Sequence, residues 1–371
     1  VTKKWIGGKE RGDIKVQLYR NGKPYQNPVV LKTDKGLNQV SYTFADLDKT
    51  DENGNDYTYT VDEVETPKNY VKSIDSKNNI ITNTYVSPKV NVVATKKWIG
   101  GENARPKTIT LALFRKVGTT EKEKVAEKEI TFTKDAELKY EFKNLDETDK
   151  NGNKYVYTVE EINVPENYNK EETGLIVTNT YESPKIDIPV SKIYVNGSEK
   201  RKDVTIQLLR NKQKIDEVVF KVEKGKDTYT HTFKDLDKTD KSGKNYTYTV
   251  TEKDEVKDFV KRENGLSVTN EYVIPKIDIS FAKKWNGGFE GKEKPRFEVQ
   301  LYRDGNKYLD KVVIESKDKL EHTWKNLDRT DKNGKEYDYT VKEVLVPKYY
   351  KEDIKTIENN ETKKKFEITN T

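Results

Sequence analysis

The chain has 371 residues, of which 70 are Lys or Arg and 64 are Asp or Glu, giving a formal net charge of +6. Because both signs are interspersed along the whole length, the sequence offers no basic stripe for nucleic acid and no polybasic tract for a membrane. The absence of Cys excludes disulfides, thiolate metal sites and thiol nucleophiles, and no apolar run approaches the length of a membrane span.

The chain contains four copies of one unit, each marked near its start by a short basic and aromatic segment. Lys-Lys-Trp at 3–5 recurs at 96–98 and 283–285, and Lys-Ile-Tyr stands at 192–194. A hydrophobic content of 32% suits several small domains with thin cores better than one large core. We therefore predict repeat 1 at 1–86, repeat 2 at 87–182, repeat 3 at 183–273 and repeat 4 at 274–371.

Three short linkers, each carrying one proline, separate the repeats at 87–89, 183–185 and 274–276. Segments this short and stiff do not behave as flexible spacers. The sequence therefore predicts a semi-rigid, monomeric rod of four domains.

Within each repeat the same elements follow in the same order. In repeat 1 they are an alternating segment with a hairpin turn at 14–22 (IKVQLYRNG), a polar turn at 44–54 (FADLDKTDENG), a Tyr-rich strand at 57–63 (YTYTVDE) and a closing strand at 81–84 (ITNT). Short Tyr-, Val- and Thr-rich strands without a helical period predict an all-β fold. About ninety residues and about seven strands per repeat suggest a β-sandwich.

Several motifs resemble chemical sites but favour simpler interpretations. The acidic turn 51–56 would need Lys49 and Thr60 at the first and last ligand positions of a calcium loop, so a plain turn is favoured. The Gly-Gly pairs that follow the tryptophans lead into no helix and are interpreted as loop residues rather than a phosphate site. His231 and His322, the only histidines, occupy matching strand positions and are predicted to be structural.

Strand alternation separates the two adjacent lysines of each repeat. Counting back from Trp98 in steps of two gives Lys96, Ala94, Val92 and Val90, an apolar set, whereas Lys97 falls on the other face. The other repeats give the same result, and in repeat 3 the outward position is an isoleucine. The lysines predicted to point inward are Lys3, Lys96, Lys192 and Lys283.

The same counting places one glutamate and one asparagine on the inner face of each repeat. The glutamates are Glu63, Glu161, Glu252 and Glu343, and the asparagines are Asn83, Asn179, Asn270 and Asn370. A buried ammonium and a buried carboxylate are costly unless they pair. On alternation alone, the simpler interpretation is a buried Lys–Glu ion pair that an asparagine amide holds in place.

The ordered set of motifs resembles the collagen-adhesin B-type (Cna B) repeat of Gram-positive surface proteins, over essentially the whole chain. The resemblance implies four tandem reverse-immunoglobulin, Greek-key β-sandwich domains, each with an autocatalytic lysine–asparagine isopeptide bond. The bonds that it implies are Lys3 to Asn83, Lys96 to Asn179, Lys192 to Asn270 and Lys283 to Asn370. Glu63, Glu161, Glu252 and Glu343 match the glutamate that promotes the reaction.

Two features depart from the pattern. Tyr194 replaces the tryptophan in repeat 3, and we expect this change to loosen the apolar surroundings of Lys192. Repeat 4 has 27 residues from Glu343 to Asn370, against 20, 18 and 18 in the other repeats.

The expected function is that of a stalk in a cell-wall-attached surface adhesin, which projects a ligand-binding region from the cell. Each domain would react once and without a cofactor, so the chain is not expected to be an enzyme. A host matrix or cell-surface ligand would bind other parts of the parent protein, and the wall anchor would also lie outside this chain. Two alternatives remain open: the repeats bind a ligand themselves through outward residues such as Tyr19, Phe114, Leu209 and Tyr302, or they form part of a pilin.

Overall fold

The structure, a computed structural model, describes residues 1–33, 36–131, 135–288, 293–315 and 319–371. It divides into two compact units, Val1–Pro184 with Thr239–Lys244 and Lys185–Lys238 with Asn245–Thr371. The regular elements in the described residues are all β-strands. A search of the same residues finds no helix that is long and apolar enough to cross a membrane.

The first unit contains the strands of repeats 1 and 2. In repeat 1 they are β1 (Thr2–Ile6), β2 (Ile14–Arg20), β3 (Lys23–Leu31), β4 (Gln39–Ser41), β5 (Tyr59–Glu63), β6 (Tyr70–Asp75) and β7 (Ile80–Tyr85). In repeat 2 they are β8 (Lys89–Ile99), β9 (Thr108–Lys116), β10 (Glu123–Thr131), β11 (Glu137–Asp146), β12 (Val156–Ile162), β13 (Tyr168–Thr173) and β14 (Ile176–Tyr181).

The second unit contains the strands of repeats 3 and 4. In repeat 3 they are β15 (Lys185–Val195), β16 (Val204–Arg210), β17 (Gln213–Phe220), β18 (Thr228–Asp237), β19 (Tyr248–Glu252), β20 (Phe259–Asn264) and β21 (Ser267–Tyr272). In repeat 4 they are β22 (Lys276–Trp285), β23 (Phe297–Arg303), β24 (Asn306–Lys307), β25 (Val312–Ile314), β26 (Glu321–Asp328), β27 (Tyr339–Glu343), β28 (Glu352–Asn359) and β29 (Lys363–Asn370).

Each repeat is a sandwich of two sheets. In repeat 1 a four-stranded sheet in the order β4-β1-β7-β6 packs on a three-stranded sheet in the order β3-β2-β5, and repeat 2 has the matching orders β11-β8-β14-β13 and β10-β9-β12. Repeat 3 follows with β18-β15-β21-β20 and β17-β16-β19, and repeat 4 with β26-β22-β29-β28 and a second sheet centred on β23. The predicted all-β sandwich fold is confirmed.

The first and last strands of every repeat are neighbours and run parallel. β1 pairs with β7 so that Lys3 lies opposite Ile81 and Trp5 lies opposite Asn83. The equivalent parallel pairs are β8 with β14, β15 with β21 and β22 with β29. A parallel pair needs a long crossover connection, and here the rest of the domain provides it.

Alternation along the strands creates the core between the sheets. In repeat 1 the core combines Ile14, Val16 and Leu18 of β2 with Trp5 of β1 and Ile81 of β7, all at most 3% exposed. The outward-facing Lys15 of β2, by contrast, is exposed. Burial on one face and solvation on the other fix the register, since a slip by one residue would exchange the two faces.

The two loop motifs of the sequence have defined roles in the first unit. Asp51 Oδ1 accepts the backbone N–H groups of Asn53 and Asn55 at 3.0 and 2.9 Å, which makes the acidic segment an Asx-type turn. The glycine loop after β1 contacts repeat 2, because Gly8 N–H donates to the backbone oxygen of Lys150 at 3.0 Å. At Gly7, where φ is +71°, a Cβ atom would overlap the same oxygen.

Candidate functional site

Each sandwich encloses one lysine, one glutamate and one asparagine, and we call each such set a triad. The lysine and asparagine come from the parallel first and last strands, whereas the glutamate comes from the opposite sheet. All twelve side chains are buried, at the inward positions that strand alternation predicts. The triads are Lys3, Glu63 and Asn83; Lys96, Glu161 and Asn179; Lys192, Glu252 and Asn270; and Lys283, Glu343 and Asn370.

The lysine and glutamate of each triad are in direct contact. The distances from Nζ to Oε2 are 3.0 Å for Lys3–Glu63, 3.3 Å for Lys96–Glu161, 2.9 Å for Lys192–Glu252 and 2.6 Å for Lys283–Glu343. All eight of these side chains have zero exposure to solvent. Water therefore does not screen the interaction.

The asparagine sits diagonally across from the lysine on the neighbouring strand, on the same face of the sheet. In repeat 2, Val177 lies opposite Lys96 and Asn179 lies opposite Trp98. The amide nitrogen donates to Oε1 of the glutamate from Asn83 at 3.0 Å, from Asn270 at 2.9 Å and from Asn370 at 3.2 Å. In these three repeats the glutamate thus bridges the other two members of the triad. In repeat 2 the buried amide of Asn179 and Oε1 of Glu161 have no hydrogen-bond partner among the described residues.

The four asparagine side-chain oxygens are buried and accept no hydrogen bond from the described residues. Turning the amide by half a rotation exchanges the positions of its oxygen and nitrogen without moving other atoms. In that second orientation the oxygen faces the carboxyl group, which donates a hydrogen bond when it is protonated. The site thus accommodates both an ionised and a protonated glutamate.

An aromatic ring covers the lysine in every repeat. Nζ lies over the ring two residues further along the strand, at 4.8 Å for Lys3 and Trp5, 4.3 Å for Lys96 and Trp98, 4.6 Å for Lys192 and Tyr194, and 4.8 Å for Lys283 and Trp285. Tyr194 is 2% exposed and Lys192 is fully buried. The expectation that tyrosine loosens the surroundings of Lys192 is wrong, because the smaller ring covers the ammonium just as closely.

Burial shifts the ionisation of the triads toward neutral groups. Desolvation lowers the pKa of Lys96 to about 8 and also lowers the pKa values of Lys3, Lys192 and Lys283 from their ordinary 10.5. The same desolvation raises the pKa values of Glu161 and Glu343. A charged pair inside an apolar core is therefore less favoured than it would be in water.

Taken together, each triad contains the parts of an acyl-transfer site. The lysine is a nitrogen nucleophile that burial pushes toward its neutral form, the asparagine amide is an electrophile with ammonia as its leaving group, and the glutamate is a proton donor and acceptor. The same geometry also fits a stable ion pair. Only a change in covalent structure distinguishes these two uses.

The sequence analysis missed a second set of side chains at the triads. In three repeats a lysine lies directly opposite the asparagine on the neighbouring edge strand: Lys72 opposite Asn83, Lys170 opposite Asn179 and Lys261 opposite Asn270. Strand alternation could have identified these lysines, because each follows an inward aromatic residue, Tyr70, Tyr168 or Phe259, by two positions and so lies on the same face.

The other candidate sites are structural. His231 packs edge-on against Phe233 with ring centroids 4.7 Å apart, and His322 packs against Trp324 at 4.9 Å. In the part of the chain that the structure describes, no cluster of three or more acidic or histidine side chains could hold a metal ion. These residues add no chemistry to the triads.

The outward residues considered for ligand binding lie one to each repeat. Tyr19, Phe114, Leu209 and Tyr302 are each half-buried and hold one equivalent position per repeat, opposite a threonine on the neighbouring strand. With one such residue per sandwich, they favour no ligand-binding role.

Comparison with known proteins gives a consistent result along the chain. A family model described as the Cna protein B-type domain matches residues 1–84, 92–180, 188–271 and 279–371. The collagen adhesin of Staphylococcus aureus is 32% identical over 320 residues, which cover 79% of this chain and 26% of that protein. The matched region thus spans about a quarter of this relative.

Two solved structures come from the collagen-binding protein of the same organism. The crystal structure of two of its B repeat units (B1B2) shares 27% identity, with a TM-score of 0.36 and coverage of 100% of this chain and 98% of that chain. A single B repeat unit (B1) shares 28% identity, with a TM-score of 0.23 and coverage of 50% and 98%.

Proposed function

The chain belongs to the Cna protein B-type domain family, and on that basis we propose that its repeats form the stalk of a Gram-positive surface adhesin. In this proposal each repeat is stiffened by an intramolecular isopeptide bond between the lysine and asparagine of its triad. The observation that carries the proposal is the recurrence of the triad in all four repeats, with every side chain buried.

The reaction follows from the positions and protonation states of the three side chains. A neutral lysine attacks Cγ of the asparagine, and the protonated glutamate donates a hydrogen bond to the oxygen, where negative charge develops. The bond from Nζ to Cγ forms and the bond from Cγ to Nδ2 breaks. One amine proton passes by way of the carboxyl group to the leaving nitrogen, which departs as ammonia. Folding supplies the proximity, so each domain reacts once.

The product suits the core better than the reactants do. A buried ammonium and carboxylate need each other to offset their loss of hydration, whereas a secondary amide carries no charge. The glutamate can remain as a neutral acid that hydrogen-bonds the new amide. Formation of the bond thus removes the charged pair from the apolar interior.

The position of the bond suggests its mechanical role. Tension on a repeat enters through its first strand and leaves through its last strand, and these two strands are parallel neighbours. A bond between them carries the force directly. The intervening 79, 82, 77 and 86 residues are then shielded from extension. Repeats of this kind would hold a binding region at a distance from the cell without unfolding.

Location and partners follow from the same proposal. The chain would lie outside the cell, and a segment of the parent protein would attach it covalently to the wall. A host matrix ligand, of the kind that the name of the S. aureus collagen adhesin indicates for that protein, would bind elsewhere on the parent protein.

Stretching single molecules tests the stalk function. With all four bonds closed, we expect no unfolding step that releases a complete domain. Asn179→Ala should add one step of about 280 Å, the extended length of the 82 residues between Lys96 and Asn179. Asn169→Ala, at an exposed position of the same sheet, is the matched control and should add none. Full-length unfolding steps in the unsubstituted protein would contradict the proposal.

A further inference from the structure

The position of each triad's glutamate relative to its lysine and asparagine depends on the spacing between the two sheets. In repeat 2, Glu161 lies on β12 of the three-stranded sheet, whereas Lys96 and Asn179 lie on β8 and β14 of the four-stranded sheet. β12 and β13 are edge strands of their respective sheets. A shift between these edges would move the carboxyl group relative to the nucleophile.

Two side chains of β13 hold the main chain of Glu161. Lys170 Nζ donates to the backbone oxygen of Glu161 at 3.1 Å, and the backbone N–H of Glu161 donates to Oε1 of Glu172 at 2.8 Å. Lys170 and Glu172 are also paired with each other at 2.7 Å. The three groups close a ring across the two sheet edges, and we call the Lys170–Glu172 pair the clamp of repeat 2.

Repeat 3 has the same clamp, built from Lys261 and Glu263. Lys261 Nζ donates to the backbone oxygen of Glu252 at 3.2 Å, and the N–H of Glu252 donates to Oε1 of Glu263 at 3.1 Å. The two clamp residues lie 3.2 Å apart. The arrangement therefore recurs with different neighbouring residues, Glu171 in one repeat and Arg262 in the other.

Repeats 1 and 4 each keep one half of the clamp. In repeat 1, Lys72 Nζ donates to the backbone oxygen of Glu63 at 3.2 Å, but Ile74 occupies the acidic position. In repeat 4, Glu352 lies opposite Asn370 and accepts the N–H of Glu343 at 2.8 Å, with Ile354 two residues further on. The four repeats form a natural series of two complete and two partial clamps.

Edge strands commonly use polar side chains to satisfy their free backbone groups, and the clamp does this for β12. That role alone would require no particular residue on the strand. In both complete clamps, however, the residue whose backbone N–H and C=O groups are bound is the glutamate of the triad. Its lysine also lies directly opposite the asparagine of the triad.

We propose that Lys170 with Glu172, and Lys261 with Glu263, are positioning residues that set the reactive glutamate against the lysine and asparagine of the opposite sheet. This inference rests on the isopeptide reaction proposed above. The clamp residues touch no reacting atom; they act through the main chain of the glutamate. Reaction rates in sites of this kind fall steeply when a group is displaced by even about 1 Å.

The test follows the formation of each bond over time. The full chain is made by cell-free translation, samples are quenched in acid, and the cross-linked peptide of each repeat is quantified by mass spectrometry. Lys170→Met should slow bond formation in repeat 2 by about tenfold, with repeats 1, 3 and 4 unchanged as internal controls. Lys170→Arg, which keeps the charge and the donors, should restore the rate to within about twofold.

Two further variants separate positioning from folding. Lys97→Met removes the exposed lysine next to Lys96 and should have no effect on the rate. Ile74→Glu completes the clamp of repeat 1 and should accelerate bond formation there, an outcome that a folding defect cannot produce. Hydrogen exchange of β12 and β14 checks that repeat 2 has folded in Lys170→Met.

The outcomes distinguish this inference from the proposed function. Bond formation at the unsubstituted rate in Lys170→Met, or no acceleration in Ile74→Glu, would overturn the positioning role proposed for the clamp. Neither result would contradict the proposed isopeptide bond. If no repeat of the unsubstituted chain loses ammonia, the proposed function falls, and the clamp falls with it.

Discussion

Lys96 Nζ lies 3.3 Å from Oε2 of Glu161, and both side chains are completely buried. An isolated pair of this kind is a poor source of stability, because the loss of hydration can exceed the attraction between the charges. It nevertheless recurs in four repeats, each with its own thin apolar core, and this recurrence is the basis of the proposed reaction. The proposed product, an amide, carries no charge.

Removing the leaving group should expose the contribution of the bond to stability. Asn179→Ala keeps Lys96 and Glu161 but cannot form the amide. By analogy with a disulfide that closes a loop of similar length, we expect repeat 2 to lose about 4 to 5 kcal/mol. Calorimetry of the full chain should then show one transition at lower temperature. An unchanged melting profile, matching that of Asn169→Ala, would argue against a bond in repeat 2.

The rate of bond formation in repeat 2 should depend on pH in a way that reflects one shared proton. The reactive form has a neutral lysine and a protonated glutamate, which together hold as many protons as the ion pair. The rate should therefore be level near neutral pH and fall above the Lys96 pKa of about 8, where the pair loses this proton. It should also fall in acid, below the raised pKa of Glu161, where the pair gains a second one.

Rates of bond formation measured on either side of pH 8 provide the check. A rate that instead rises with pH up to about 8, by about tenfold per unit well below that value, and then stays level would mean that only the neutral amine matters. Such a profile would show that the glutamate does not act as a proton donor in the reaction.

The aromatic cover should control the lysine by excluding water. Trp98→Ala would hydrate Lys96, return its pKa toward the ordinary value and slow bond formation near neutral pH. Trp98→Tyr copies repeat 3, where the Tyr194 ring covers Lys192 at 4.6 Å, and should keep the rate close to that of the unsubstituted chain. Quantifying the cross-linked peptide in both variants tests this, and equal rates would show that the ring is only a packing element.

The glycine loop of repeat 1 should secure its contact with repeat 2. Gly7→Ala combines left-handed backbone strain with a clash against the oxygen of Lys150, whereas Gly22→Ala has similar strain and no neighbour within 4 Å. We expect trypsin to cleave after Lys89, the first residue of β8, faster in Gly7→Ala than in Gly22→Ala. Equal cleavage rates would show that the loop does not stabilise the junction.

Alternation along single strands was enough to predict much of this structure. It separates Lys96 from Lys97 and places Glu161 and Asn179 on the inner face, because side-chain direction along a strand depends only on local geometry. It does not reveal which strands become neighbours. The contact of Gly8 with Lys150, and the clamp from Lys170 to Glu161, join segments that are distant in sequence or lie on different sheets.

The tyrosine of repeat 3 illustrates a second limit. From the sequence, replacing tryptophan by tyrosine predicts a looser site, since the ring is smaller. In the structure Tyr194 packs edge-on against Tyr229 and Phe259, at centroid distances of 6.4 and 5.7 Å, and these neighbours keep it 2% exposed. The surroundings of a side chain depend on all the residues that pack against it. The residue pattern of one strand does not identify those that come from other strands.

The mass of the intact chain under denaturing conditions tests the central claim most directly. The account predicts a mass below that of the unmodified sequence by four molecules of ammonia. After proteolytic digestion, four pairs of peptides should remain covalently cross-linked. The pairs contain Lys3 and Asn83, Lys96 and Asn179, Lys192 and Asn270, and Lys283 and Asn370. A mass equal to that of the unmodified sequence would contradict the account and leave four buried ion pairs in its place.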